Sequence, residues 1–146
     1  MKIYENARMC KVEVWEAYMD NKLLVFEKVT PSLLEAMPYE YIGKDINVCI
    51  ETEDFTCLCP WTGLPDFAYI VLNYTPDSKV VELKSLKLYL QSYRMVGMVH
   101  ESVINNIIND LVKTVWPKEM SIDIEFRVRG GITTTVSAQY FKKRKD

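Results

Sequence analysis

Phe55-Thr56-Cys57-Leu58-Cys59-Pro60-Trp61-Thr62-Gly63-Leu64-Pro65-Asp66 separates two strand-like runs and is predicted to be the loop that joins them. Pro60, Gly63 and Pro65 mark it as turn material, because proline presets φ and glycine tolerates positive φ. Before it, Asp45-Ile46-Asn47-Val48-Cys49-Ile50-Glu51 alternates with period two, which puts Ile46, Val48 and Ile50 on one face and Asn47, Cys49 and Glu51 on the other. After it, Phe67-Ala68-Tyr69-Ile70-Val71-Leu72-Asn73-Tyr74 is rich in β-formers and ends at Thr75-Pro76-Asp77-Ser78. The loop thus brings a thiol and a carboxylate together on rigid strands, where reacting groups are well positioned.

Downstream, Lys79-Val80-Val81-Glu82 reads as a short extended piece leading into a helix near Lys84 to Tyr93. Val103, Ile104, Ile107, Ile108, Leu111, Val112 and Val115 recur at helical spacing, so a second helix starts at His100-Glu101-Ser102 and closes before Pro117. Ser121 to Val128 alternates strictly, and Arg129-Gly130-Gly131 turns it into Ile132 to Ser137, a hairpin. Upstream, Val12, Val14 and Ala17 and then Lys22 to Val29, with Asp20-Asn21 between, suggest an N-terminal hairpin. Thr30-Pro31-Ser32-Leu33-Leu34-Glu35-Ala36-Met37-Pro38 reads as a two-turn helix, with an N-cap, a proline in its first turn and a proline stop. From about residue 45 the order is ββααββ. This predicts an α+β fold, an antiparallel sheet with two helices on one face, whose free edges and other face invite self-association.

The 146 residues suit one domain, 1–146, burying roughly 68–70% of its unfolded surface, with residues 142–146 as a solvated tail. Cys10, Cys49, Cys57 and Cys59 are too unevenly placed for a disulfide framework, which favours a reducing compartment and leaves a thiol free to work. A net charge of −2 provides no field for polyanions, so no direct nucleic-acid partner is expected. The N-terminus lacks a signal-peptide core and no apolar run is long enough to span a bilayer, so a soluble cytoplasmic protein is expected, with no membrane partner.

Taken alone, each candidate residue has a plain reading beside the chemical one. Cys57-x-Cys59 fits no common zinc spacing with Cys10, Cys49 or the single histidine His100, and no metal is expected. A buried cysteine is often simple filler, whereas Cys59 between Pro60 and Gly63 could be a nucleophile. Glu101 at a helix start favours the positive end of the dipole whatever its function. Lys84 and Lys87, one turn apart, suit a solvated face, Tyr89 and Tyr93 suit the core, and Arg129 beside two glycines could approach an anion.

Taken together, Phe55-Thr56-Cys57-Leu58-Cys59-Pro60-x-Thr62-Gly63-x-Pro65-Asp66-Phe67-Ala68, Glu82-Leu83-Lys84-Ser85-Leu86-Lys87-Leu88-Tyr89, His100-Glu101 and Arg129-Gly130-Gly131-Ile132 resemble the NADPH-dependent 7-cyano-7-deazaguanine reductases, nitrile reductases of queuosine biosynthesis, in their short single-module form. The resemblance runs from about Phe26 to Ile132. It implies a tunnelling fold (T-fold) assembled as a homo-oligomeric barrel, a decamer of two pentameric rings, with sites at subunit contacts. It implies Cys59 as the nucleophile that forms a covalent thioimide on the nitrile, and Asp66 as the group that manages the proton. His100 would relay a proton or pack against the base. Val81, Glu82, Leu83, His100 and Glu101 would form the substrate pocket, with Glu101 accepting from the aminopyrimidinone edge. Lys84, Ser85, Lys87 and Arg129 would bind the cofactor, NADPH.

Three features depart from the family pattern. Val99 stands where many relatives have an aromatic, Cys57 where they often have serine, and residues 1–25 align with nothing in the family. Because neighbouring strand positions point apart, no Cys57–Cys59 disulfide is expected. Two other functions fit the same pocket: amidine formation on deazaguanine-modified tRNA, and catalytically idle binding of the deazapurine. Both lysines and the acidic balance count against the first, and the intact Cys59 and Asp66 against the second.

Overall fold

A computed structural model describes residues 28–143. The expected N-terminal hairpin, the extension 1–25, Cys10 and most of the tail lie outside the described residues. The elements are β1 (Ala36–Pro38), β2 (Val48–Leu58), β3 (Pro65–Thr75), β4 (Lys79–Val81), α1 (Leu83–Gln91), α2 (His100–Val115), β5 (Glu119–Arg129) and β6 (Ile132–Phe141). An antiparallel four-stranded sheet runs β2-β3-β5-β6, and β1 pairs separately with β4. From β2 onward the expected helices and principal strands are present.

The two-turn helix expected over residues 30–38 does not form. Pro31–Leu33 makes a single 3-10 turn, after which Ala36–Pro38 extends and pairs with β4, Ala36 opposite Val81. Tertiary contacts decide this. The Glu35 carbonyl accepts from Glu82 N, and Glu35 N donates to Ser85 Oγ over 2.9 Å, so the segment exchanges local hydrogen bonds for partners fifty residues away.

The expected central loop is also much shorter than the quoted stretch. Phe55–Leu58 belongs to β2 and Pro65-Asp66 to β3, leaving residues 59–64 as the turn. Three steps on β2, from Thr52 to Phe55, match two on β3, from Ile70 to Ala68, so β2 carries one extra residue. This β-bulge changes the parity of the strand: Thr52 shares a face with Ile70, while Phe55 and Cys57 share that same face with Ala68 and Asp66.

Both helices cover this face. Leu86 and Leu90 of α1 and Ile107 and Leu111 of α2 meet Ile50, Thr52, Ile70, Leu72 and Ile122 of the sheet. Burying each large aliphatic side chain stabilises by about 1.5–3 kcal/mol relative to exposure. Tyr89 and Tyr93, both fully buried, pack edge to face and form a hydrogen-bonded link, Tyr89 Oη donating to Asp110 Oδ2 over 2.7 Å and so tying α1 to α2. The opposite sheet face presents Glu51, Tyr69, Asp123, Glu125 and Arg127, and the outer edge of β6 has no strand partner among the described residues.

Candidate active site

The β2–β3 turn is closed by its own backbone. Cys59 N donates to the Leu64 carbonyl and Gly63 N to the Cys59 carbonyl, both over 2.8 Å, with Gly63 at φ 68°, a conformation glycine adopts without penalty. Leu58 fixes the turn from its other side: its N–H donates to Val96 and its carbonyl accepts from Met98 N, each over 3.0 Å. This clamp carries the chain to the start of α2, so His100 emerges beside β3.

Cys59 is 9% exposed. Burial disfavours its anion, but the Thr62 hydroxyl, the N–H groups of Thr62 and Trp61, and Arg129 all donate toward the sulfur, and the thiol is drawn down from 9.0 to about 7. The Thr62 oxygen accepts from Leu64 N at 3.3 Å, an arrangement that leaves its hydrogen for the sulfur. Cys57 lies opposite Asp66 and is completely buried. Burial first, then the charges of Asp66 and Cys59, push its thiol up to about 12, against a smaller opposing influence of Arg129. Residues two apart on a strand share a face, so strand parity does not keep the two sulfurs apart as expected from the sequence; both are nonetheless free.

Asp66, itself 9% exposed, joins the cluster. Its Oδ1 is 2.8 Å from an Arg129 guanidinium nitrogen, and its Oδ2 is 3.3 Å from His100 Nε2, which donates when it carries the hydrogen. His100 stacks on the buried Phe126 ring, centroids 3.5 Å apart and planes 5° from parallel. The structure thus gathers Cys59, Asp66, His100 and Arg129 from β2–β3, β3, α2 and β5. Arg129, expected beside the cofactor, pairs with the Asp66 carboxylate. Thr62 and Phe126 escaped the sequence reading: Thr62 lay inside the quoted motif without a role, and Phe126 was one more apolar residue of an alternating strand.

The α1 residues are not drawn into this cluster. Glu82 caps α1, its carboxylate accepting from Lys84 N at 2.9 Å and Ser85 N at 2.6 Å. Ser85 Oγ donates to the Glu82 carbonyl at 2.7 Å and accepts from Glu35 N, so the hydroxyl is engaged within the protein. Val81 is buried, its N–H donating to Tyr74 Oη, whereas Leu83 is 60% exposed and Glu101 stands exposed in the first turn of α2. Lys84 and Lys87 are exposed one turn apart and form no ion pair with any described residue. Two unpaired ammonium groups on one helix face fit the phosphates of an anionic cofactor.

Comparison with known proteins places the chain in a family. The family model described as QueF-like protein matches residues 65–145. The NADPH-dependent 7-cyano-7-deazaguanine reductase of Caldicellulosiruptor bescii is 52% identical over 117 residues, 80% of this chain and 89% of that protein. The protein of the same name from Thermoanaerobacter pseudethanolicus is 49% identical over 119 residues, 82% of this chain and 90% of that one. Among solved structures, the apo archaeosine synthase QueF-Like superposes with a TM-score of 0.60 at 16% identity, over 71% of this chain and all of that one, a likeness of fold. With more than half its length matched by the family model and about half the residues identical over the four-fifths of the chain that aligns with these relatives, the chain belongs to the NADPH-dependent 7-cyano-7-deazaguanine reductase family.

Proposed function

We propose that the protein reduces the nitrile of 7-cyano-7-deazaguanine to the aminomethyl group, with NADPH as reductant. The observation that carries this reading is Cys59, a thiol drawn to about 7 in a closed turn just past the pairing of Cys57 with Asp66, in a chain of this family. The Cys59 proton passes to Asp66, and the thiolate adds to the nitrile carbon. As the S–C bond forms, the triple bond becomes a C=N bond and Asp66 returns the proton to nitrogen, leaving a thioimide. NADPH, when bound, would supply hydride twice, to the thioimide and to the imine that follows, with one proton taken up from solvent through Asp66 for each hydride. Cys59 departs as thiolate on passing to the imine and is restored unchanged.

Glu101, with Val81, Glu82, Leu83 and His100, holds the deazaguanine, Glu101 accepting from its N–H edge. His100 also keeps Asp66 in place and relays protons. Lys84 and Lys87 take the cofactor phosphates, with Arg129 and the Ser85 turn beside them. Because α1 stands apart from Cys59 within one chain, the complete site forms between subunits, in a homo-oligomeric barrel of two pentameric rings. The product feeds queuosine modification of tRNA in the cytoplasm.

The test is to mix purified protein with 7-cyano-7-deazaguanine and NADPH and follow both cofactor and product. Two NADPH oxidised per aminomethyl product, with a mass adduct on Cys59 when cofactor is withheld, is the expected result. No consumption overturns the reading, and ammonia capture without NADPH loss moves it to the amidine-forming reaction.

A further inference from the structure

We infer that Arg129 activates the nucleophile: its guanidinium is paired with Asp66, directly across from the strand end that leads into the Cys59 turn, so it acts in thiol activation and not only as a cofactor ligand. The inference deepens the reading of Cys59 as nucleophile and rests on it.

A second β-bulge makes this contact possible. On β5 the registered pairs are Phe126 with Thr134 and then Arg129 with Ile132, three steps against two, so one extra residue lies between Phe126 and Arg129. In a regular strand, positions an odd number apart face opposite ways, and Arg129 would project from the face that Phe126 avoids. The bulge turns it back onto the helix-covered face, where it reaches Asp66 Oδ1 at 2.8 Å. Ala68 is paired with Phe55 on one side and Phe126 on the other, so the bulges of β2 and β5 flank the same level of β3. One sets Cys57, and the Cys59 turn that follows it, on the Asp66 side, and the other delivers the cation.

The titratable and charged groups gathered here are Cys57 from β2, Asp66 from β3, His100 from α2 and Arg129 from β5. Arg129 is the one permanent cation among them. Without it, Asp66 is left as a carboxylate opposing a second anion. With it, the Cys59 S–H bond breaks, the proton goes to Asp66 or to solvent, and the sulfur retains its electron pair beside a positive charge. A guanidinium has five N–H donors, enough to serve carboxylate and sulfur together.

Cofactor-free alkylation separates the two roles. Full-length protein is treated with iodoacetamide across a pH series without NADPH, and carbamidomethylated Cys59 is quantified by peptide mass spectrometry, which excludes signal from Cys10, Cys49 and Cys57. Arg129→Gln is expected to shift the Cys59 midpoint upward by about one pH unit, about tenfold slower alkylation below the midpoint. Arg129→Lys, which keeps the charge but loses the fork, is expected to fall between Gln and wild type, and it serves alone if Arg129→Gln does not fold. An unchanged Cys59 profile in the variants, with only a raised NADPH requirement, would overturn the inference. If wild-type protein forms no adduct with the nitrile, the proposed function fails, yet the alkylation profiles still decide the role of Arg129.

Discussion

Cys57 and Cys59 are the same residue two positions apart, yet one is pushed up to about 12 and the other drawn down to about 7. Cys57 ends a buried strand, facing Asp66 with burial as its dominant influence. Cys59 begins a turn, where backbone N–H groups freed from the ladder, the Thr62 hydroxyl and the Arg129 guanidinium converge on sulfur. Thiol reactivity is thus assigned by depth and donors together: burial dominates at the fully enclosed Cys57, while at Cys59 the converging donors outweigh it. The β2–β3 hairpin keeps an inert thiol beside a reactive one.

The sharpest way to break this comparison is substitution of each thiol. Cys59→Ala is expected to abolish NADPH oxidation, a loss on the order of 10⁴-fold or more, as for removal of other covalent nucleophiles. Cys57→Ala is expected to retain the adduct on Cys59; equal loss in both variants would erase the distinction. Asp66→Asn comes next, since a positioned proton-transfer group contributes about 10²–10⁴-fold, read as slower adduct formation in single turnover with cofactor withheld.

A second contrast, between the sheet end and α1, predicts effects of about ten- to a hundredfold. Replacing Lys84 and Lys87 together by alanine is expected to raise the NADPH concentration needed for half-maximal rate by that factor, each lost phosphate contact costing roughly 1 kcal/mol or more. Cofactor-free adduct formation should be unaffected, and a loss of that step as well would place the lysines with the thiol chemistry.

The pH response sharpens the comparison further. A thiol titrating near 7 is protonated below that value and anionic above it, so Cys59 alkylation should rise steeply from about pH 6 to about pH 8 while Cys57 stays silent. Thr62→Val removes one sulfur donor and should move the Cys59 rise upward, giving a several-fold slower reaction near neutrality. The smallest effect is on stability: Cys57→Ala leaves a small cavity at a fully buried position and should lower the unfolding free energy by about 1–2 kcal/mol in denaturant titration.

Much of the molecule was legible in local pattern. The Val103–Val115 stripe, the alternation of Ser121–Val128 and the glycine turn after Arg129 each reflect a periodicity that burial on one face imposes, and each appears within a few residues of its expected limits. The segment 30–38 misled because its proline signals describe a helix start, while the hydrogen-bond partners that extend it lie on β4 and α1. Cys59 and Asp66 are singled out by their turn and spacing, and resemblance names Cys59 over Cys57 as the nucleophile, but the electrostatic difference between the two thiols comes only from their surroundings.

The sequence by itself determined the order of elements, the two amphipathic helices and the turn that carries the nucleophile, because these follow from side-chain periodicity and from the backbone preferences of proline and glycine. Tertiary structure alone decided which side chains meet. Two single-residue bulges, invisible as composition, reverse strand parity on either side of β3 and bring Cys57, with the Cys59 turn just beyond it, and Arg129 to the face of Asp66. The electrostatic fate of the thiol depends on donors from its own turn and from β5, and only their packing sets which of two cysteines can be an anion near neutral pH.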